Sequence, residues 1–392
     1  MFVGKQLSNI RQMHEMSRAQ LAKELNISEQ AVWQYENSYT SPKLEMILKL
    51  AKFFDVKTKY FYKESIQYNV IEERNIAYRS INKNTMQKVL AEKIYLEHIE
   101  VILLLVEKTV KLPANQLFAL KEAVLQKKVK CEYDCEKENL IEQIAEIARE
   151  CVGLDSNNNN NLLFLLEKSG AFVLEKPMDI KVDGYSTWTT LNRPYIILNG
   201  IGKTAVRRNF DLAHELGHLL LHPKEDFLTL DKKSYNLKEK EAHTFASSFL
   251  LPKEEFLNDL KYISRVSNPK SYIDLKQKWN VSIAAMGRRA YSLNKMSYQQ
   301  YRHFNALLRR YHFLKNEPLD DDLQFHSPGK IRSVIKHVLE NGAMDISDLT
   351  ETFNFNITKI TKMLNLESNF FEKYLSKNQD FNFGEVRNFT PK

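Results

Sequence analysis

The run from His214 to His218 reads His-Glu-Leu-Gly-His, and its spacing constrains the chain more than any other feature. Residues four apart lie on one face of an α-helix, which has about 3.6 residues per turn. Both imidazoles can therefore hold one metal ion, and Glu215 can take a proton from a nearby water. Apolar residues flank the run between Phe210 and His222, which favours a helix. A buried helix with two hydrogen-bonded histidines is the structural alternative.

Length and composition limit the class of protein. With 392 residues the chain exceeds one ordinary hydrophobic core, so we expect two to four domains. A hydrophobic content of 43% and a charged content of 27% are typical of soluble globular proteins. The net charge of +8 permits a polyanionic partner but does not require one, because 57 basic residues are set against 49 acidic ones.

The cysteines and the apolar runs indicate the cellular compartment of the protein. Three cysteines, Cys131, Cys135 and Cys151, make an odd number in a large chain, which suits a reducing compartment. Cys131 and Cys135 lie among acidic residues, so a second metal site there is a minor alternative. No signal peptide opens the sequence, and the longest apolar run, residues 101–106, is too short to span a bilayer. We therefore expect a cytoplasmic protein without a membrane partner.

Residues 6–62 predict five short helices, because apolar residues recur there at helical intervals. Ser17 and Ser28 are each placed to cap a helix at its amino terminus, and Asn26-Ile27 form the tight turn between those helices. Two short helices joined by so brief a turn form a helix-turn-helix.

This amino-terminal segment resembles the XRE, or lambda-repressor-like, family of DNA-binding domains. One departure is Ser38, which stands where the family commonly has a glycine. The resemblance implies a double-stranded DNA operator as partner. A helix-turn-helix that serves only protein contacts or dimerisation is the alternative. The matching residues are Leu21, Ala22, Ile27, Ser28, Val32, Tyr35, Glu36, Asn37, Pro42 and the run 44–56.

The same resemblance assigns roles at the DNA. In that family the helix after the turn enters the major groove and meets base edges. Glutamine suits adenine, and glutamate can accept a hydrogen bond from the cytosine amine. Contacts to phosphates position such a domain without identifying the sequence. The residues expected at the DNA are Ser28, Glu29, Gln30 and Gln34 on the groove side, with Arg18, Gln20 and Asn37 near phosphates.

The remaining chain is predicted to form three further regions. Residues 66–137 form a helical connector, whose apolar stripes are typical of a core or a dimer seam and favour a homodimer. Residues 138–300 form an α+β domain, with helices first, then a small and mostly antiparallel sheet, then the histidine-bearing helix. Residues 301–392 form a helical carboxy-terminal region, so the chain as a whole is multidomain and mainly α.

The third ligand of a metal at His214 and His218 should come from the next helix, since catalytic zinc usually has three protein ligands plus water. Glu239 and Glu241 are two apart, about 200° around a helix, so only one of them can face the metal. Glu239 shares a face with His243, which favours Glu239 as the ligand and His243 as its supporting partner. Glu241 and His243 remain alternative ligands.

Residues 138–300 resemble the ImmA/IrrE metallopeptidases, which pair such a histidine-bearing helix with a later glutamate-bearing one. The resemblance implies a zincin-like fold with Zn²⁺ as cofactor, His214, His218 and Glu239 as ligands, and Glu215 as general base. His243 departs from the family's Asn or Asp at that position. The matching stretches are 165–167, 170, 183–188, 194–199, 207–210, 214–222, 239–252, 278–283 and 288–291.

The carboxy-terminal region contains predicted helices at 331–340, 346–353 and 357–364, followed by a loose tail from Ser376. A small bundle for dimerisation or regulation is the favoured interpretation. The pair 345–349 and 357–360 also faintly resembles a second helix-turn-helix.

Two functions follow from the resemblances. The first is a transcriptional regulator whose zinc endopeptidase domain cleaves itself or a partner repressor in response to stress or mobile-element signals. The alternative is a non-catalytic antitoxin and autorepressor of a toxin–antitoxin or phage-defence pair, which uses the peptidase fold to bind its protein partner.

Overall fold

The computed structural model describes residues 1–64, 69–76, 85–130, 137–179 and 182–375. Cys131, Cys135 and the tail from Ser376 lie outside the described residues. The backbone divides into two compact units. Unit 1 comprises Met1–Tyr68, Leu90–Lys111 and Arg332–Lys392, and unit 2 comprises Asn69–Val89 and Leu112–Ile331.

Helices dominate both units, as the sequence predicts. Within the described ranges, no helix combines the length and apolar character needed to cross a membrane. Short 3₁₀ helices lie at Thr58–Tyr62, Glu73–Asn75 and Pro269–Tyr272. The α-helices are α1 (Gly4–Met13), α2 (Arg18–Leu25), α3 (Glu29–Glu36), α4 (Leu44–Phe54), α5 (Thr85–Glu107), α6 (Gln116–Lys130), α7 (Lys137–Val152), α8 (Leu162–Lys168), α9 (Ala205–Leu221), α10 (Lys232–Leu250), α11 (Lys253–Leu260), α12 (Ile273–Trp279), α13 (Ile283–Ser292), α14 (Tyr298–Arg310), α15 (Lys330–Glu340), α16 (Ile346–Phe353), α17 (Ile357–Met363) and α18 (Glu372–Leu375).

The predicted caps and turn of the amino-terminal domain are confirmed. The Ser17 hydroxyl accepts from the Gln20 amide at 3.1 Å, and the Gln20 side chain accepts from the Ser17 amide at 2.7 Å, which forms a capping box. Asn26 ends α2 in the left-handed region at φ 57°. The Ser28 hydroxyl then accepts from the Ala31 amide at 3.1 Å and starts α3. The fifth predicted helix is the 3₁₀ helix Thr58–Tyr62.

The carboxy-terminal helices α16 and α17 belong to the same unit as this domain. The Asn354 carbonyl accepts from the Lys57 amide at 2.7 Å. Asn356 and Thr358 donate to the Asp55 carboxylate at 2.9 and 2.5 Å. Helix α17 follows a turn in which Asn354 has φ 52°, so the local shape is that of a helix-turn-helix. Four of the seven residues of α17 are buried, and Thr358 and Lys362 are exposed.

Unit 2 contains a three-stranded sheet of β1 (Phe172–Lys176), β2 (Gly184–Trp188) and β3 (Pro194–Asn199), in the order β1-β3-β2. β2 pairs antiparallel with β3, but β1 pairs parallel with it. The prediction of a mostly antiparallel sheet is therefore wrong for one of the two pairs. Parallel strands need a long connection, and the chain between β1 and β3 supplies it by carrying β2 at the sheet edge.

Helix α9 packs against this sheet and against α10. A Cβ on Gly217 would lie 3.0 Å from the Phe245 ring, so a glycine in α9 lets the two helices approach. The Trp188 indole donates to the Leu219 carbonyl at 2.8 Å and fixes β2 against α9. Helix α9 thus lies between β2 and α10.

Candidate metal site and candidate DNA-binding surface

Helices α9 and α10 bring three donor side chains together. The Nε2 atoms of His214 and His218 lie 3.2 Å apart. The Glu239 carboxylate oxygens lie 3.6 Å from His214 Nε2 and 3.4 Å from His218 Nε2. Zinc binds such donors at about 2.0–2.1 Å, so tetrahedral ligands are roughly 3.3–3.4 Å from one another. The three side chains therefore fit a zinc-sized ion.

His243 lies on the exposed side of the same site. Its ring centroid is 4.5 Å from that of His214. One ligand atom from each of His214, Glu239 and His243 fits within 4.8 Å of the others. The His243 Nδ1–H donates to the Glu239 carbonyl at 2.7 Å, so the lone pair of the neutral ring is on Nε2. His243 thus stands beside the three donors and can act as a fourth ligand or as an acceptor.

Glu215 lies in the same cavity, which His214, His218 and Glu239 also line. Its carboxylate is buried and accepts from the Ser186 hydroxyl of β2 at 2.7 Å. Burial raises the pKa of Glu215 to about 7, although His218 and the Ser186 hydrogen bond oppose the rise. A carboxylate with a pKa near neutrality suits general acid–base chemistry.

His222 and Glu241 stand behind His218. The His222 Nε2 lies 2.8 Å from the Glu241 carboxylate, and its Nδ1 lies 3.2 Å from His218 Nδ1. Burial lowers the pKa of His222 to about 4, so the ring is neutral. Burial by itself would raise the pKa of Glu241, but hydrogen bonds from His222 and Lys137 lower it to about 2.

This chain of contacts assigns the ring protons. Ionised Glu241 accepts from His222 Nε2–H, which leaves His222 Nδ1 as an acceptor for His218 Nδ1–H. The lone pair of His218 is then on Nε2, the atom that faces His214 and Glu239. Outer carboxylate and imidazole partners of this kind orient a ligand histidine and raise its basicity. Glu241 and Glu239 thus face different histidines, as their spacing predicts.

Charged residues surround the mouth of the cavity. Arg207 contacts Asp183 at 2.6 Å and Asp211 at 3.0 Å. Lys203 also pairs with Asp183 and lies 3.7 Å from Asp211. Burial raises the pKa of Asp211 to about 6, and the nearby cations oppose that rise. Sequence reasoning gave these side chains and Ser186 no role; for Ser186, Arg207 and Asp211, a polar residue within a buried strand or helix was the available signal.

The residues expected at base edges line the solvent-facing side of α3. Ser28, Glu29 and Gln30 are exposed and Gln34 is partly exposed. Trp33 lies on the same helix, and its ring stacks on Tyr39 with centroids 5.1 Å apart. The exposed pair of rings, which sequence reasoning missed, extends this surface beyond the polar side chains.

The residues expected at phosphates make bonds within the domain. Arg18 donates to Glu36 at 2.5 Å, and its side chain remains 40% exposed. Gln20 accepts from the Ser17 amide in the capping box. The Asn37 amide group donates to the Trp33 carbonyl at 2.8 Å. All three lie beside α3, but each already has a structural bond.

Comparisons with known families agree with this arrangement. Residues 7–61 match the family model described as Helix-turn-helix. Residues 166–291 match the peptidase family model described as IrrE N-terminal-like domain. No curated protein matched the chain.

Proposed function

We propose that this chain, which joins an XRE-type helix-turn-helix domain to an ImmA/IrrE-like peptidase-family domain, is a DNA-binding regulator that hydrolyses peptide bonds with bound zinc. One observation carries the catalytic part. The donor atoms of His214, His218 and Glu239 form a triangle with zinc-like spacing, and the buried Glu215 carboxylate lines the same cavity.

His214, His218 and Glu239 would hold the metal. Zinc, when bound, supplies Lewis-acid activation of water and of a peptide carbonyl. Glu215 takes the proton from the attacking water and returns it to the leaving amine. The Ser186 hydroxyl holds that carboxylate in place from β2.

The DNA-binding domain gives the peptidase a regulatory context. We infer that Glu29, Gln30 and Gln34 contact bases from the exposed side of α3, and that the chain acts in the cytoplasm, where its DNA is found. Cleavage of the chain itself or of a partner repressor, in response to stress or mobile-element signals, would then change transcription. A homodimer remains a prediction.

The test is Glu215→Gln in the full chain, with Glu254→Gln as a matched control on an exposed acidic residue of unit 2. Zinc content is measured by mass spectrometry, and cleavage of the chain itself and of casein is followed with and without zinc. We expect Glu215→Gln to retain zinc and to lose cleavage by about 10²- to 10⁴-fold. Equal cleavage by both variants would refute the role of Glu215.

A second candidate function rests on His243. Structural zinc sites are closed by four protein ligands, whereas catalytic sites keep a position for water. If His243 supplies the fourth ligand, the domain would bind zinc without hydrolysis and serve as the non-catalytic antitoxin and autorepressor. His243→Asn separates the two functions, because it removes an imidazole from the exposed side of the site.

Under the catalytic proposal, His243→Asn retains zinc affinity within about threefold and keeps its activity. Under the alternative, wild-type protein shows no cleavage, and the substitution weakens zinc binding by more than tenfold. Competition with a chromophoric chelator measures the affinity.

A further inference from the structure

Strand β2 lies at the edge of the sheet, yet it is fully covered. β3 pairs with one side of it, and no strand in the described ranges pairs with the other side. All five of its residues are nevertheless buried. An edge strand offers backbone groups that an extended peptide can pair with. What covers β2 therefore bears on how this domain binds a peptide.

Residues 69–76, here called the 69–76 segment, follow the DNA-binding domain in the chain and lie in unit 2. The Val70 carbonyl accepts from the Thr190 amide at 2.8 Å, just beyond the end of β2. The Arg74 carbonyl accepts from the Phe227 amide at 2.9 Å, in the loop after α9. Asn75 lines a cavity together with Ser186 and other residues of β2.

These contacts give the segment a direction. Val70 lies beside Thr190, after the carboxyl end of β2, and Asn75 shares a cavity with Ser186, Thr187 and Trp188 of that strand. The 69–76 segment therefore leads from the carboxyl end of β2 to this cavity, and its residues Glu73–Asn75 form a 3₁₀ helix. An extended peptide bound by strand addition would occupy the side of β2 that β3 leaves free.

Apolar side chains hold the segment in place. Val70, Ile71 and Ile76 are 5%, 1% and 1% exposed. Glu72 and Arg74 pair with each other at 2.9 Å and remain exposed. The segment thus buries aliphatic side chains and presents charged ones to solvent.

The cavity beside Asn75 reaches the candidate metal site. Its lining includes His218, His222 and Phe227. The Phe227 ring lies 5.8 Å from that of His218. Ser186, which also lines this cavity, holds the Glu215 carboxylate. The segment therefore lies along a groove that leads to the residues of the proposed catalysis.

We propose that the 69–76 segment occupies, within its own chain, the groove in which the domain binds an extended peptide, and that it excludes other peptides until it is displaced. The occupant indicates the ligand class: a peptide with two adjacent aliphatic residues, as in Val70-Ile71. The proposal rests on the proposed function only in that the groove serves a peptidase; peptide binding itself needs no hydrolysis.

The experiment uses the full chain with zinc, carrying Glu215→Gln so that nothing is cleaved. Val70→Ser with Ile71→Ser removes two buried side chains of the segment. The matched control is Val129→Ser with Phe164→Ser, whose side chains are 67% and 62% exposed in the same unit. The probe is a fluorescent synthetic peptide of residues 69–76, and its binding is followed by anisotropy. We expect the segment variant to bind the probe at least tenfold more tightly than the parent and the control.

Amide hydrogen exchange shows whether the segment has moved. In the segment variant, exchange at Thr190 and Phe227 should accelerate, because both amides lose their carbonyl partners. Acceleration without any gain in probe binding would overturn the proposal and leave the segment as a structural strap. Unchanged exchange would overturn it as well, since the aliphatic side chains would then not hold the segment.

The milder pair Val70→Ala with Ile71→Ala guards against loss of folding. It should give smaller changes in the same direction for both measurements. Failure of the proposed hydrolysis is scored separately, by cleavage of the same peptide in the chain with Glu215 intact. A chain that binds the probe after displacement but never cleaves it would refute the catalysis and support the groove.

Discussion

Helices α2 and α3 carry the candidate DNA-binding surface, and α9 and α10 carry the candidate metal site. α3 starts at a cap three residues after α2 ends, and the side chains proposed to contact DNA are exposed or partly exposed. α9 is buried over most of its length, and its functional side chains converge with those of α10. The first site depends on a local turn and exposure, whereas the second depends on contacts between residues far apart in the chain.

The difference between the two sites predicts whether the effects of two substitutions add. Gln30 and Gln34 lie four residues apart on one face of α3, and their effects add where each contacts a separate base. His218, His222 and Glu241 form one chain of contacts, so their effects should not add.

A third pair of helices has the same turn as α2 and α3 but buries more of its second helix. Helices α12 and α13 are joined by the same kind of turn as α2 and α3, with Asn280 left-handed at φ 51° and a Ser282 cap on the Ala285 amide. Yet Ile283 and Met286 of α13 are fully buried. The turn therefore sets the geometry of a helix pair, and exposure of the second helix decides whether it can contact DNA.

The largest effect is expected at the metal site. His222→Gln removes the acceptor for His218 Nδ1–H, and Glu241→Gln removes the charge that orients His222. Each substitution should weaken zinc binding by about 10- to 100-fold, as is usual for outer partners of metal ligands. Because Glu241 acts on His218 only through His222, zinc binding by the double variant should be little weaker than by His222→Gln. Chelator competition measures all three, and additive losses would contradict the chain of contacts.

An intermediate effect is expected on α3. Gln30→Ala and Gln34→Ala should each reduce discrimination between operator and random DNA by about tenfold or more, since one good base contact is worth about 1–3 kcal/mol. The double variant should show the product of the single effects. Binding titrations at fixed salt test this, with Lys23→Ala on the exposed side of α2 as control. Unchanged operator preference would refute the assignment of α3.

The smallest effect is expected at the two serine caps. Ser28→Ala and Ser282→Ala each remove a side-chain acceptor at a helix amino terminus, and each should lower the free energy of unfolding by about 1 kcal/mol. Only Ser28→Ala should also weaken DNA binding, because the side chains proposed to contact DNA lie on α3. Urea unfolding and operator titration of both variants give the comparison; equal DNA binding by the two would remove Ser28 from the DNA surface.

Some features of the structure were predictable from the sequence alone, and others were not. The caps at Ser17 and Ser28 and the turn at Asn26 act within a few residues, so they were predictable and are confirmed. The parallel pairing of β1 with β3 was not predicted, because strand order depends on a connection that has no local signal. Ser186 and Arg207 were not assigned roles for the same reason: Ser186 meets Glu215, and Arg207 meets Asp183, only when distant parts of the chain pack together.

The sequence by itself determined the helix-turn-helix, the helix that aligns His214 with His218, and the choice that only one of Glu239 and Glu241 could face them. Helical periodicity and capping are properties of neighbouring residues, so a single chain displays them. Tertiary packing set the position of Glu239 opposite the two histidines, the contacts of His222 and Glu241 behind His218, and the hydrogen bond from Thr190 to Val70 beyond the end of β2. These features depend on packing between residues that are distant in the chain, which no local pattern specifies.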